Sequence, residues 1–159
     1  MEQKNRKNRN KTGIGLLCIM LLLVILTGCG ASDTKEALKD GSYTVYVKLL
    51  GGTGKASVAS PASVSVEDGQ AYAQIVFSSK HYDYMLVDGV KYMDESVEEE
   101  ENSTFTIPID GLDCELDIVA DTTAMSVPHE IEYHLIFRQD EEELARAEKE
   151  YEAGQEPDD

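Results

Sequence analysis

Tyr82-Asp83-Tyr84-Met85-Leu86-Val87-Asp88-Gly89-Val90-Lys91-Tyr92-Met93 decides the fold class. Two short runs rich in β-branched, aromatic and other apolar residues flank Asp88-Gly89, whose two central residues both tolerate the positive φ that a two-residue hairpin turn demands. Period-two runs recur on both sides of this hairpin. Ser42 to Leu50 sets Tyr43, Val45, Val47 and Leu49 against Thr44, Tyr46 and Lys48, and Gly51-Gly52-Thr53-Gly54 closes it. Ser63 to Val66 ends at Glu67-Asp68-Gly69, after which Gln70 to Phe77 reads as a strand. Ser103 to Ile109 and Leu112 to Ala120 are joined near Asp110-Gly111, and His129 to Arg138 is the last and longest run. About eight short strands with turn residues between them, and no helical period among them, give an all-β fold: an Ig-like antiparallel β-sandwich over residues 41–138.

The flanks of this region read differently. Lys4, Arg6, Lys7, Arg9 and Lys11 precede an apolar run from Ile14 to Leu26, and the run ends in Leu26-Thr27-Gly28-Cys29. That is the pattern of an export signal over residues 1–28 whose small residues admit a peptidase. Cys29 would then be lipidated, with residues 29–40 as a tether. A transmembrane anchor is the competing reading, but 13 apolar residues fall short of the roughly 20 needed to span a bilayer. Either way the rest of the chain is expected on the extracytoplasmic face of a cell membrane. Beyond the sandwich, Asp140 to Tyr151 is rich in Glu, Ala, Leu, Arg and Lys, and Gly154 and Pro157 end it. Residues 139–159 therefore read as a short acidic helical tail, too polar to pack tightly.

Charge restricts the partners. Removing residues 1–28 leaves 9 basic against 30 acidic residues, a net charge near −21. Such a surface repels nucleic acid and anionic headgroups, so attachment to the membrane rests on acyl chains. With Cys18 discarded and Cys29 lipidated, Cys114 is the remaining thiol, and its alternation with Leu112, Leu116 and Ile118 places it in the core.

No catalytic constellation is visible: no G-x-S-x-G, no H-E-x-x-H, no paired Cys and His at useful spacing, and no phosphate-binding glycine loop before a helix. An enzyme is the least supported class. Two clusters remain as candidates for a binding site. Tyr82, Tyr84 and Met85 follow His81 at the start of a strand, where they serve either as ligand contacts or as ordinary strand and core packing. The second cluster runs from Met125 to His134. On a strand, His129, Ile131, Tyr133, Leu135 and Phe137 share one face, with about 13 Å of backbone between His129 and Tyr133. Those two side chains can flank a flat ligand lying across Ile131, and Met125 offers a soft axial ligand beside them. The run Asp94 to Glu101 is acidic, but it lacks EF-hand spacing and reads as a solvated loop.

Four segments, taken in order, resemble the NEAT family: Asp-Gly-Ser-Tyr-Thr-Val at 40–45, Val-Glu-Asp-Gly-Gln-Ala-Tyr-Ala-Gln-Ile-Val-Phe at 66–77, Val-Asp-Gly-Val-Lys-Tyr at 87–92 and His-Glu-Ile-Glu-Tyr-His-Leu-Ile-Phe at 129–137. The resemblance implies an Ig-like sandwich of a Gram-positive surface protein. It also implies a haem site built on a Y-x-x-x-Y pattern of the last strand, whose first tyrosine ligates iron and whose second supports it. Tyr133 matches the second position and His129 replaces the first, which histidine can fill as neutral imidazole. A short helix over the other haem face is implied near Lys55 to Pro61, where only Ala, Ser and Val are offered. Lys80, Lys91 and Arg138 are the basic residues available to meet haem propionates. The function implied is capture of haem or another iron complex for delivery to iron or haem ABC transporter components; the alternative is a cofactor-free Ig-like module that recognises a protein or an envelope component.

Overall fold

A computed structural model describes residues 38–124, 127 and 129–155. Eight strands fill it: β1 (Gly41–Gly51), β2 (Ala62–Glu67), β3 (Gln70–Val76), β4 (Tyr82–Val87), β5 (Val90–Met93), β6 (Thr104–Ile109), β7 (Cys114–Thr122) and β8 (His129–Arg138), followed by one helix, α1 (Glu141–Gly154). Every pairing is antiparallel, and the order across the sheet is β5-β4-β7-β8-β1-β2-β3-β6. This is the all-β sandwich architecture expected from the alternating runs.

One strand serves both layers. The first half of β1 pairs with β2, from Gly41↔Val66 to Val45↔Ala62, and its second half pairs with β8, from Tyr46↔Arg138 to Gly51↔Tyr133. The two layers close over Val45, Val47, Leu49, Ile75, Phe105 and Phe137, each at most 6% exposed. Burying a side chain of this size stabilises by about 1.5–3 kcal/mol. The turns obey local chemistry: Asp68-Gly69 and Asp88-Gly89 take φ of 52° and 77°, and of 49° and 77°, the signature of hairpins whose twist suits the flanking strands.

Strict alternation fails in β4. The register with β7 shifts between Tyr82 and Tyr84, so a bulge turns Tyr82, Met85 and Val87 into the core while Tyr84 and Leu86 face outward. Two tyrosines that period two would place on one face are thereby separated.

The tail is the larger departure. α1 packs on the outer face of β8 and β1, burying Leu144 and Ala147 against Ile136, with Tyr46, Leu50 and Tyr151 around them. Leu144, Ala147 and Tyr151 fall on one side of a helical turn pattern, and that narrow stripe suffices despite the polar composition. Asp140 caps the helix, accepting from the N–H groups of Glu142 at 2.9 Å and Glu143 at 3.1 Å, while Glu141 to Glu143 occupy the positive end of the helix dipole. Lys48 adds an ion pair to Glu148 at 2.6 Å.

Two further expectations need revision. Residues 55–60 form no helix; they run extended, with Val58 bridging Phe77. Cys114 is half-buried at the start of β7, its thiol donating to the Gly111 carbonyl at 3.3 Å, rather than enclosed in the core.

Candidate functional site

The β8 face that carries His129, Ile131 and Tyr133 grades from solvent to core. His129, paired with Thr122 at the strand's start, is exposed; Ile131 is half-buried; and Tyr133 is 5% exposed. No described residue hydrogen-bonds the His129 ring. Tyr133 is committed inward. Its hydroxyl lies 3.0 Å from that of Tyr82, and Phe77 stacks on Tyr82 with centroids 4.1 Å apart while meeting Tyr133 edge-on at 6.3 Å. Burial first, and the Tyr82 hydroxyl second, hold the Tyr133 phenol well above its ordinary pKa.

The glycine turn after β1 seals this cluster. Gly52 sits at φ 55°, and a Cβ built there would lie 2.7 Å from Cε1 of Tyr133 and 3.0 Å from Cγ2 of Ile131. The backbone of the turn therefore rests directly on both side chains. The structure brings Tyr82 and Tyr133 together, leaves His129 at the rim, and buries Met85 in the core at 0% exposure. Met125 and Cys29 lie outside the described residues.

Tyr84 belongs to a separate cluster on the outer face. Its hydroxyl donates to Glu130 at 2.7 Å, which is the chief reason its pKa is pushed up to about 12, and the Lys91 ammonium sits 3.4 Å from its ring centroid. Asp121 stands opposite Tyr84 and is 3% exposed. Burial, then its hydrogen bond with Asp83, then the charges of Asp83 and Glu130 raise its pKa, with Lys91 opposing.

No family model matches the chain, and no curated protein does. The solved structures that share its architecture include the NEAT5 domain of IsdX2, a B. anthracis hemophore in complex with heme, and a single-substitution mutant of the same domain, also in complex with heme. The first is 18% identical with a TM-score of 0.53, the second 20% with 0.52, and each match covers 64% of this chain and 98% of that one. The chain has the NEAT-domain fold.

Within the NEAT fold, the polar groups expected to assist a ligand are engaged elsewhere. Lys80 pairs with Glu100 at 2.9 Å, Lys91 covers Tyr84, and Arg138 is drawn to Glu115 and to the carbonyls of Cys114 and Phe137. They form no common basic patch. The acidic run is a stapled loop: Asp94 accepts from Thr104 N–H at 2.8 Å and from the Ser96 hydroxyl at 2.7 Å. Burial would raise the Asp94 pKa, but these donors outweigh it and lower it. Among the described residues there is no group of three or more metal-capable side chains.

Sequence reading did not anticipate two clefts, of about 700 and 640 Å³, both lined by Gly51 and Tyr151. They exist because α1 packs on the sheet. Inside the smaller one His134 stacks on Tyr151 with centroids 4.6 Å apart, and its Nδ1 lies 2.6 Å from Asp117. The Leu144, Ala147, Tyr151 spacing was the signal that could have revealed them.

The Asp83–Asp121 pair gives a pH prediction. A carboxyl whose folded pKa is raised adds stability at low pH that is lost as pH rises through the folded pKa. Asp121→Asn should therefore raise the melting temperature at pH 7 and lose that advantage below about pH 4, near the unfolded carboxyl pKa; an unchanged melting temperature at pH 7 would show that the pair carries no strain.

Proposed function

We propose that this chain is a membrane-anchored extracytoplasmic lipoprotein whose NEAT-fold domain binds haem, or another iron complex, for uptake. The observation that carries the reading is the His129 imidazole, exposed and unbonded by any described residue at the start of β8, on a fold also found in a heme-bound domain and its single-substitution mutant. A neutral imidazole suits haem iron, and half-buried Ile131 offers apolar surface beside it. Haem iron, when bound, supplies a coordination position for such a nitrogen. His129 would hold it and Ile131 would shield one edge of the ring from water. Lipidation at Cys29 would keep the domain on the outer face of the membrane, where delivery to an iron or haem ABC transporter is the natural next step.

Haemin titration of the compact unit Ala37–Asp159, followed by absorbance, tests this. A saturable red-shifted Soret band that His129→Ala weakens at least tenfold is the expected result. A titration matching that of an unrelated acidic protein would remove the haem reading.

A second reading is favoured by the seal of Gly52 over Tyr133 and Ile131 and by the dispersal of Lys80, Lys91 and Arg138. It is a cofactor-free interaction module that binds a protein or an envelope component. Colourless protein from cells grown with haem would support it.

A further inference from the structure

We propose that the smaller cleft beside α1 seats a basic, extended segment of a partner protein, taking the apolar stem and the cationic head of a lysine or arginine side chain. The proposal is independent of the haem reading, because Glu132 and His134 lie on the face of β8 opposite His129, Ile131 and Tyr133. Cross-strand register builds the cleft. Leu86 of β4 stands opposite Val119 of β7, Val119 stands opposite Glu132 of β8, and Asp117 faces His134 in the next row on that side. Asp88 of the hairpin turn and Tyr151 of α1 complete the walls, and no lysine or arginine lines the cleft.

Its floor is apolar and its rim anionic. Leu86 and Val119 are half-buried, a surface on which a methylene stem can lie while its charged head stays at the edge. Asp117 already holds the His134 ring at 2.6 Å, whereas the carboxylates of Glu132 and Asp88 have no hydrogen-bond or ion-pair partner among the described residues. Farther along the same face the chain supplies its own cation. The Lys91 ammonium sits 3.4 Å from the Tyr84 ring centroid, next to the Glu130 carboxylate that accepts from the Tyr84 hydroxyl. The cleft repeats this combination of aromatic ring and carboxylates with Tyr151, Glu132 and Asp88, and has no lysine of its own. The pattern of charge selects a polypeptide over a free cation. Glu130 directly opposes Asp121 in the sheet, and like charges so placed cost stability until a cation approaches. Glu130 and Glu132 project from one face about 6.6 Å apart, the interval at which an extended segment presents alternate side chains, so two basic residues of one segment reach both. The formal net charge of −17 steers such a segment toward the domain.

The probe is a fluorescein-labelled octapeptide of alternating lysine and threonine, titrated with the Ala37–Asp159 unit and followed by anisotropy. Salt of about 0.15 M limits the reach of exposed charges to about 8 Å, so that general attraction to an acidic protein is suppressed. Glu132→Gln/Asp88→Asn removes two charges from the cleft with little change in side-chain size, and Glu98→Gln/Glu99→Gln removes two from the exposed 94–101 loop. The expected result is saturable binding by the parent, weakened at least about fivefold in the cleft variant and by less than about twofold in the loop variant. Amide shifts followed by NMR during titration of the parent need no variant to fold, and the largest should fall at Gly89, Val119, Glu132 and His134. Equal weakening by both variants, or largest shifts on the 94–101 loop, would overturn the cleft as the site, as would a parent that shows no saturable binding. Spermidine shifting the same amides and binding as tightly as the peptide would overturn the choice of a polypeptide as occupant.

Discussion

Phe77→Ala should destabilise the domain by about 3–5 kcal/mol, the range for removing a fully buried aromatic ring. Phe77 is 1% exposed and is the ring that joins the others. It stacks on Tyr82 at 26° between planes, meets Phe105 edge-on with centroids 5.8 Å apart, and meets Tyr133 edge-on. Favourable aromatic pairs add about 0.5–1.5 kcal/mol each beyond the area they bury. The cavity left by alanine would be bounded by the rings of Tyr82, Phe105 and Tyr133, from β4, β6 and β8. A domain of this size has about 5–15 kcal/mol in total, so the variant should be marginally folded at 37 °C. Urea unfolding of the 37–159 unit checks this against Val90→Ala, where a side chain 55% exposed should change stability by less than about 0.5 kcal/mol. A loss below about 1 kcal/mol for Phe77→Ala would mean that the aromatic cluster does not hold the two layers together.

What the sequence discloses about this domain, and what it withholds, follows from the range of the interactions involved. Hairpins at Asp68-Gly69 and Asp88-Gly89 are legible because a positive φ is a property of the residues that adopt it. The faces of β8 are legible because alternation is local, and Tyr133 does share the inward face with Leu135 and Phe137. Depth along that face is not local. Whether Tyr133 sits at a rim or under a lid depends on the turn at Gly52, and its hydroxyl partner is 51 residues away. The bulge that delivers Tyr82 to it depends on the register of β4 against β7, which no periodicity within β4 records.

The helix shows a different failure. Counting charges over residues 140–151 gives a solvated helix, yet the fold needs only Leu144, Ala147 and Tyr151 on one side to cover Ile136. Average polarity conceals a stripe that is three residues wide. Once α1 is seated, it buries Ile136 on what alternation names the solvent face of β8, and it shapes both clefts beside Tyr151. An error about the tail therefore becomes an error about where the surface is concave.

Gly52→Val should cost about 2–5 kcal/mol, adding about 1–2 kcal/mol for a side chain forced into the left-handed region to about 1–3 kcal/mol of overpacking. The steric part arises because the atom met at 2.7 Å belongs to the Tyr133 ring, which Phe77 and Tyr82 hold from the other side, so it cannot step aside as the end of a lysine would. Gly54→Val separates the two contributions: φ there is 72°, but a Cβ would meet nothing within 4 Å, so the conformational part alone, about 1–2 kcal/mol, should appear. Thermal or urea unfolding of both variants gives the difference directly. If the two valines cost the same, the turn does not press on Tyr133 and the seal over the β8 face is loose. If Gly52→Val costs more by the overpacking amount, the turn is a fixed lid, and a flat ligand reaching His129 must approach from the strand's open end rather than from above Ile131.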